Sequence, residues 1–492
     1  MEQQVKQSKP LILPFKTPLG FYFYETNRNE IVAVNEQLYK YIDAVMQDNE
    51  QEIHQFGEEV VRQYGDLKDC GYLCTNHVKE IKHPATDELE LFLERKIDSI
   101  TLQVTQKCNL RCSYCVYSEN SYPSQRSHSE KMMSFETAKK AVDFYFMHSM
   151  DTKQPNISFY GGEPFLNEEL IKQVVDYARR VFEGRNITFT TTTNATLLTD
   201  DLIDYLAENK FNLMISLDGP KSIHNQNRVF AANKKGSYDT VIRNIRKIWE
   251  NHPEFAKTVS INMVINPENS YEEINKLFND RYIRKMRCLH SIVEKDEGET
   301  VNYSDEYVNE SLYNQFLGIL STVGRFKKAG VGKTTIDEIE NMEHEIQKIR
   351  YGVLGDVAAP GGPCIPGKMR LFINCKGEFY PCERVNEISE CMNIGSLDRG
   401  LDKDKINSLL NIGKLTEDEC RNCWAFTQCI LCGKKADKDG KLSAEKKRKY
   451  CQESKRMAFS KIKNKVLLFE LKRHLSGEGN SLNDVNIFRE VK

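Results

Sequence analysis

The chain lacks long apolar runs. Nothing in its 492 residues approaches the ~18 consecutive apolar positions of a membrane span, so no membrane partner is expected. The amino terminus, MEQQVKQSKP, lacks the apolar centre of a secretion signal, which makes a cytoplasmic location the expectation. Net charge is also scarce, at −2, and nothing in the balance calls for nucleic acid. The basic run from Lys434 to Lys449 is interrupted by Asp437, Asp439 and Glu445 and reads as a solvated loop and helix face.

Cysteine is plentiful by contrast. Fifteen are present, and length, the missing signal and the CxxC-type spacings disfavour a secreted disulfide framework. Metal or cluster ligation is the better account. Cys108, Cys112 and Cys115 have three and then two residues between them and directly follow the strand-like Ile100 to Thr105. Three thiolates bind three irons of one [4Fe–4S] cube and leave the fourth iron open to a small molecule. A zinc knuckle would need a fourth Cys or His nearby, and none follows before His128. A second field comprises Cys364, Cys375, Cys382, Cys420, Cys423, Cys429, Cys432 and Cys451.

The length predicts two to four domains. Residues 11–34 read as a hairpin, Asn35 caps a following helix, and a second helix from Glu58 to Tyr64 leads into a strand-like Cys70 to Cys74. From residue 98 the pattern becomes six strand–helix units. Strands are predicted at 98–105, 156–160, 186–192, 212–217, 258–265 and 286–293, which implies a parallel sheet, closed or nearly so. In such α/β folds the loops at the carboxyl ends of strands hold the chemistry, and the cysteine loop follows the first strand. The second strand ends in Gly161-Gly162-Glu163-Pro164. Two glycines let backbone approach a ligand, and Glu163 offers an acceptor to an ammonium group; a mere loop break is the alternative. Residues 301–358 read as polar helices bridging two regions, and residues 467–475 as a last helix.

These motifs resemble those of radical S-adenosylmethionine (SAM) enzymes: CxxxCxxC with Tyr114 before the last Cys, GGEP at 161–164, and Thr193-Asn194-Ala195-Thr196-Leu197-Leu198 in place of TNGTLL. The resemblance implies a partial (β/α)6 TIM-like barrel over residues 93–300. It also implies a [4Fe–4S] cluster on Cys108, Cys112 and Cys115, with SAM held by Tyr114, Gly161, Gly162, Glu163, Pro164, Asn194, Ser216, Asp218 and Arg228. Asn194 and Asp218 have the alternative of a cap or turn role. The second cysteine field resembles a SPASM domain, expected at 360–458 after a helical bridge at 301–359 and before a helix and tail at 459–492. Only two residues separate Cys429 from Cys432, where the SPASM pattern has three.

The SPASM likeness implies three [4Fe–4S] clusters in all. Auxiliary cluster II would use Cys420, Cys423, Cys429 and Cys451. Auxiliary cluster I would use Cys364, Cys382 and Cys432, with either Cys375 or an open position as the fourth ligand. Glu383 occupies the place where sulfatase-maturating relatives carry an acidic proton acceptor; a surface carboxylate is the alternative. Residues 1–92 resemble a winged-helix-like α+β peptide-recognition unit, which would take a leader peptide by adding it to a strand edge. The expected function is thioether formation, through a 5′-deoxyadenosyl radical, in a ribosomally made Cys-rich precursor peptide, with flavodoxin or ferredoxin as electron donor. Formylglycine formation and carbon–carbon cross-linking are the alternatives. A non-catalytic Fe–S or zinc scaffold is a third, which has no use for SAM.

Overall fold

The computed structural model describes residues 9–118, 125–294, 301–347 and 352–476. The first residues of the amino terminus and the Gly/Ser/Asn tail lie outside them. Among the described residues no helix is long and apolar enough to cross a membrane.

The chain opens with a three-stranded antiparallel meander, β1 (Ile12–Lys16), β2 (Phe21–Glu25) and β3 (Glu30–Val34), in place of the expected hairpin. Two longer helices follow, α1 (Glu36–Met46) and α2 (Glu58–Asp69), with a single helical turn at Glu50–Ile53 between them. Asn35 caps α1 as expected, its side chain accepting from the Leu38 amide. The strand expected at 70–74 does not form. Cys70 caps the end of α2, and Gly71 and Leu73 turn the chain through positive φ, so this stretch cannot lie flat along a sheet.

The barrel strands are β4 (Ser99–Thr105), β6 (Asn156–Gly161), β7 (Thr188–Thr193), β8 (Asn212–Ser216), β10 (Ser260–Ile265) and β11 (Arg287–Ile292). All six are parallel, and each lies beside its predecessor. β5 (Leu110–Cys112) and β9 (Arg228–Phe230) form a separate ribbon. In β6, β7 and β10 alternate residues are buried. Ile157, Phe159, Phe189, Ile261 and Met263 share one core with Val142, Val174, Val175 and Ile245 of the flanking helices. Residues of the opposite parity, Tyr160, Thr192, Met214, Ser216 and Asn262, face the concave side.

The barrel is open, since β11 ends the sheet. At its other edge β4 pairs in parallel with β12 (Leu371–Ile373), which continues into β13 (Glu378–Tyr380), β14 (Gly395–Ser396) and β15 (Gly400–Leu401). The first strand of the Cys-rich region therefore extends the barrel sheet. β4 is buried along most of its length, so its outer amides and carbonyls need a strand partner. Helices α3 (Asp305–Thr322) and α4 (Lys333–Gln347) connect the two regions. A short helix α5 (Ala444–Lys449) leads into the long α6 (Cys451–Ser476).

The amino-terminal sheet is covered on both faces. Ile12 and Phe23 pack with Leu38 and Ile42 of α1. Phe15, Tyr22, Tyr24 and Ile31 pack with Ile462 and Val466 of α6. Polar contacts tie the same sheet to the Cys-rich region: Thr26 Oγ1 donates to Trp424 O at 2.8 Å, and Gln428 Nε2 donates to Asn29 Oδ1 at 2.8 Å.

Candidate active site

The cysteine loop leaves the carboxyl end of β4 and is held as a ribbon. β5 pairs antiparallel with β9, with Cys112 opposite Arg228 and Leu110 opposite Phe230. Ala231 N donates to Asn109 O at 2.9 Å, which anchors the start of the loop. Cys108, Cys112 and Cys115 lie close enough to influence one another's ionisation. Burial pushes Cys108 and Cys112 up to about 12, while the Arg228 and Arg111 guanidiniums pull Cys112 the other way. Three grouped, half-buried thiols fit a metal cluster, whose cationic core displaces the thiol protons on binding.

His128, on which the zinc alternative turned, reaches Cys115, with Nε2 4.0 Å from Sγ. Among the described residues, however, no three Cys, His, Asp or Glu side chains are arranged to hold a single ion.

Gly161 and Gly162 lie directly against the cysteine loop. A Cβ on Gly162 would stand 2.2 Å from Lys107 O, and one on Gly161 2.3 Å from Thr105 O. Gly162 N and Glu163 N donate to those same carbonyls, at 3.0 and 2.9 Å. Glu163 is buried and ties strand ends together. It accepts from Thr193 Oγ1 at 2.6 Å and from Asn194 N at 2.8 Å, and burial raises its carboxyl to about 7. Pro164 opens the buried turn that follows. Asn194 Nδ2 donates to Asn109 Oδ1 at 2.9 Å, so this residue joins β7 to the cysteine loop. Ala195, where the family motif has Gly, sits at φ 59°, the left-handed conformation that explains the glycine preference.

Asp218 is fully buried. One oxygen accepts from Arg228 Nε at 2.8 Å and Tyr114 OH at 2.5 Å, the other from Val264 N at 3.0 Å. The Arg228 guanidinium lies 5.5 Å from the Tyr114 ring centroid. Ser216 lies on the concave face, in register with Asn262.

Residues 102–280 match the Radical SAM superfamily. This is a radical SAM domain. The chain is 26% identical to a cysteine-type anaerobic sulfatase-maturating enzyme of Clostridium novyi, over 68% of this chain and 87% of the relative. It is 36% identical to an uncharacterized protein of Methanocaldococcus jannaschii, over 29% of this chain and only 46% of the relative's length. Its fold is that of native anSMEcpe solved with AdoMet and a Kp18Cys peptide, with TM-score 0.54 and 20% identity over 76% of this chain and 99% of that one. SAM and a [4Fe–4S] cluster accompany the radical SAM family, and three grouped thiols match in number a cube with one iron left open.

Beyond the radical SAM domain, seven of the nine C-terminal cysteines fall into two groups. Cys364, Cys382 and Cys432 act on one another electrostatically, as do Cys420, Cys423, Cys429 and Cys451. Cys375 joins neither group: its buried thiol donates to Gln103 O at 3.0 Å on the barrel strand β4. Glu383 is not a surface carboxylate. Its side chain is 12% exposed, and Oε1 pairs with Arg370. Oε2 is buried and meets no hydrogen-bond donor among the described residues.

One network had no sequence signal. Glu387 Oε1 accepts from Gln103 Nε2 at 2.7 Å and from Tyr117 OH at 3.0 Å, and the Arg126 guanidinium stacks 3.7 Å from the Tyr117 ring centroid. It joins the segment after the cysteine loop to the Cys-rich region. Nothing local in the sequence relates residues so far apart.

Proposed function

We propose that this chain is a radical SAM maturase that acts on a ribosomally made, Cys-rich peptide and forms thioether cross-links from Cys sulfur to a carbon of another residue. The observation that carries the reading is the group Cys364, Cys382 and Cys432. It has three thiols, and the fourth candidate, Cys375, is turned away to Gln103. An auxiliary cluster on three protein thiolates keeps one iron for a substrate thiolate.

When bound, SAM and its reduced cluster supply a carbon radical that takes a hydrogen atom from an unactivated carbon. Cys108, Cys112 and Cys115 would hold that cluster. Glu163, Asn194, Ser216 and Arg228 would orient SAM beside it, with Tyr114 and Asp218 fixing Arg228. Glu383 Oε2, buried next to Cys382 and free of donors among the described residues, accepts the substrate thiol's proton. Arg370 keeps that carboxylate in place.

Cys420, Cys423, Cys429 and Cys451 would hold auxiliary cluster II, giving three clusters in all. A flavodoxin or ferredoxin would supply electrons. The amino-terminal sheet supports a ribosomal substrate, because β3 is an edge strand with no further strand paired to it among the described residues. A leader peptide would add there.

Formylglycine formation is the second reading, supported by the likeness to the Clostridium novyi sulfatase-maturating enzyme. The deciding experiment is anaerobic incubation of reconstituted protein with SAM, reductant and either a Cys-rich peptide or a sulfatase peptide, read by mass spectrometry. Loss of two hydrogens per modified Cys, with that Cys no longer alkylatable and the change resistant to reductant, supports the thioether. Loss of sulfur from a sulfatase-peptide Cys supports formylglycine. Unchanged peptides alongside cleaved SAM would sink the peptide assignment.

A further inference from the structure

The group Cys420, Cys423, Cys429 and Cys451 contains a buried cation. Lys447 of α5 is 2% exposed, and its Nζ lies 3.2 Å from Cys420 Sγ and 2.5 Å from Thr416 Oγ1. Thr416 Oγ1 is itself 3.2 Å from Cys420 Sγ, so hydroxyl, ammonium and thiol form one closed triangle. Lys447 is held in place from both ends of its helix: Lys447 N donates to Ser443 O at 3.1 Å, and Tyr450 N donates to Lys447 O at 3.1 Å.

Among the described residues no carboxylate forms an ion pair with this cation. Glu419, on the helix that carries Cys420, is taken by Arg448 at 2.6 Å, and Glu445 by Lys438 at 3.2 Å. A buried ammonium among neutral partners is costly, and it is stable only where a negative charge meets it. The negative charge available here is the thiolate that Cys420 becomes on ligation. The other C-terminal group differs: its charged neighbours, Glu383 and Arg370, neutralise one another.

We propose that Lys447 is the built-in counter-charge of the Cys420/Cys423/Cys429/Cys451 site and raises the reduction potential of the cluster there above that of the Cys364/Cys382/Cys432 site. The inference rests on reading both groups as cluster ligands. Reduction adds one negative charge to a cluster, and a cation with N–H donors aimed at a ligating sulfur stabilises the reduced form. Lys447 touches a ligand and no reacting atom, so it is a positioning residue.

The test is an EPR-monitored redox titration of the full chain reconstituted with iron and sulfide, with iron counted per chain. Lys447→Met and Lys447→Gln remove the charge, Gln keeping N–H donors, and Lys447→Arg keeps both. The expectation is that Met and Gln each lower the higher of the two auxiliary midpoints, with the oxidised-to-reduced ratio at a fixed potential rising about tenfold, about 59 mV for a one-electron couple. Arg should stay at the wild-type value. Loss of about four irons in Met and Gln but not in Arg would support the same role, exerted through assembly. Full iron with an unmoved midpoint in Met and Gln would overturn the proposal, and so would equal iron loss in Arg, which would make the residue a matter of fit and not of charge. A wild-type chain holding only about four irons would overturn the auxiliary-cluster reading itself, a result distinguishable from failure of the Lys447 inference alone.

Discussion

Cys112 and Arg228 face each other across the β5–β9 ribbon, and Arg228 Nε donates at 2.8 Å to Asp218, a carboxylate with no solvent exposure. The cysteine loop and the buried ion pair are thus one structural unit. Arg228→Met leaves Asp218 buried without its cation, a change that costs about 3–5 kcal/mol. We expect a lower apparent melting temperature and a loss of about four irons per chain after reconstitution. Wild-type iron content in this variant would separate the ribbon from cluster binding.

The two glycines of the 161–164 loop make a sharper claim. Gly162→Ala drives a methyl group to 2.2 Å from Lys107 O and 2.9 Å from Cys108 Cβ, so the cysteine loop has to move. Overpacking of this kind typically costs about 1–3 kcal/mol. The expected outcome is reduced iron incorporation, measured by the absorbance of the reconstituted protein and by iron analysis. Gly184→Ala, which would meet nothing within 4 Å but lies at φ +79°, controls for backbone strain alone.

Cys375 and Cys382 are expected to separate cleanly. Cys375→Ala removes a thiol bonded to Gln103 O and should leave iron and sulfide at the wild-type count, while Cys382→Ala should lower both. Equal loss in the two variants would make Cys375 a ligand.

Glu25, at the end of β2, introduces a pH dependence into the amino-terminal sheet. It is fully buried, and burial, set against hydrogen bonds from Leu73 N and Asn27, raises its carboxyl to about 7 from 4.5. A folded value above the unfolded one means that the folded state binds the extra proton. The stabilisation is therefore complete below about 4.5 and is lost as pH rises through about 7, roughly 3–4 kcal/mol at 1.36 kcal/mol per unit. Hydrogen exchange of the amino-terminal sheet should quicken from pH 5.5 to 8 beyond the intrinsic change. Glu25→Gln should flatten that dependence and slow exchange at pH 8. An unchanged profile in the variant would assign the effect elsewhere.

The parts of this protein that could be read from its sequence are those set by short-range geometry. Cys108, Cys112 and Cys115 lie within one loop, and the cluster chemistry of that spacing needs no knowledge of the rest of the chain. The barrel strands are readable for a similar reason: alternation between an apolar helix-facing side and a polar concave side is printed residue by residue, as in Asn156–Gly161. The short Cys70–Cys74 stretch misled because its apolar residues are buried by a turn packed on the sheet, a burial that periodicity cannot distinguish from a strand.

The sequence by itself therefore determined the barrel, the cysteine loop after its first strand and the supply of cysteines. Only the tertiary structure decided which side chains meet. It turned Cys375 to Gln103, gave the glycines a backbone to lie against, extended the barrel sheet with β12, set the amino-terminal sheet on α6 and placed Lys447 against Cys420. These contacts join residues tens to hundreds of positions apart. Their geometry is fixed by the burial of apolar surface and the pairing of backbone groups across the whole molecule, which no local spacing encodes.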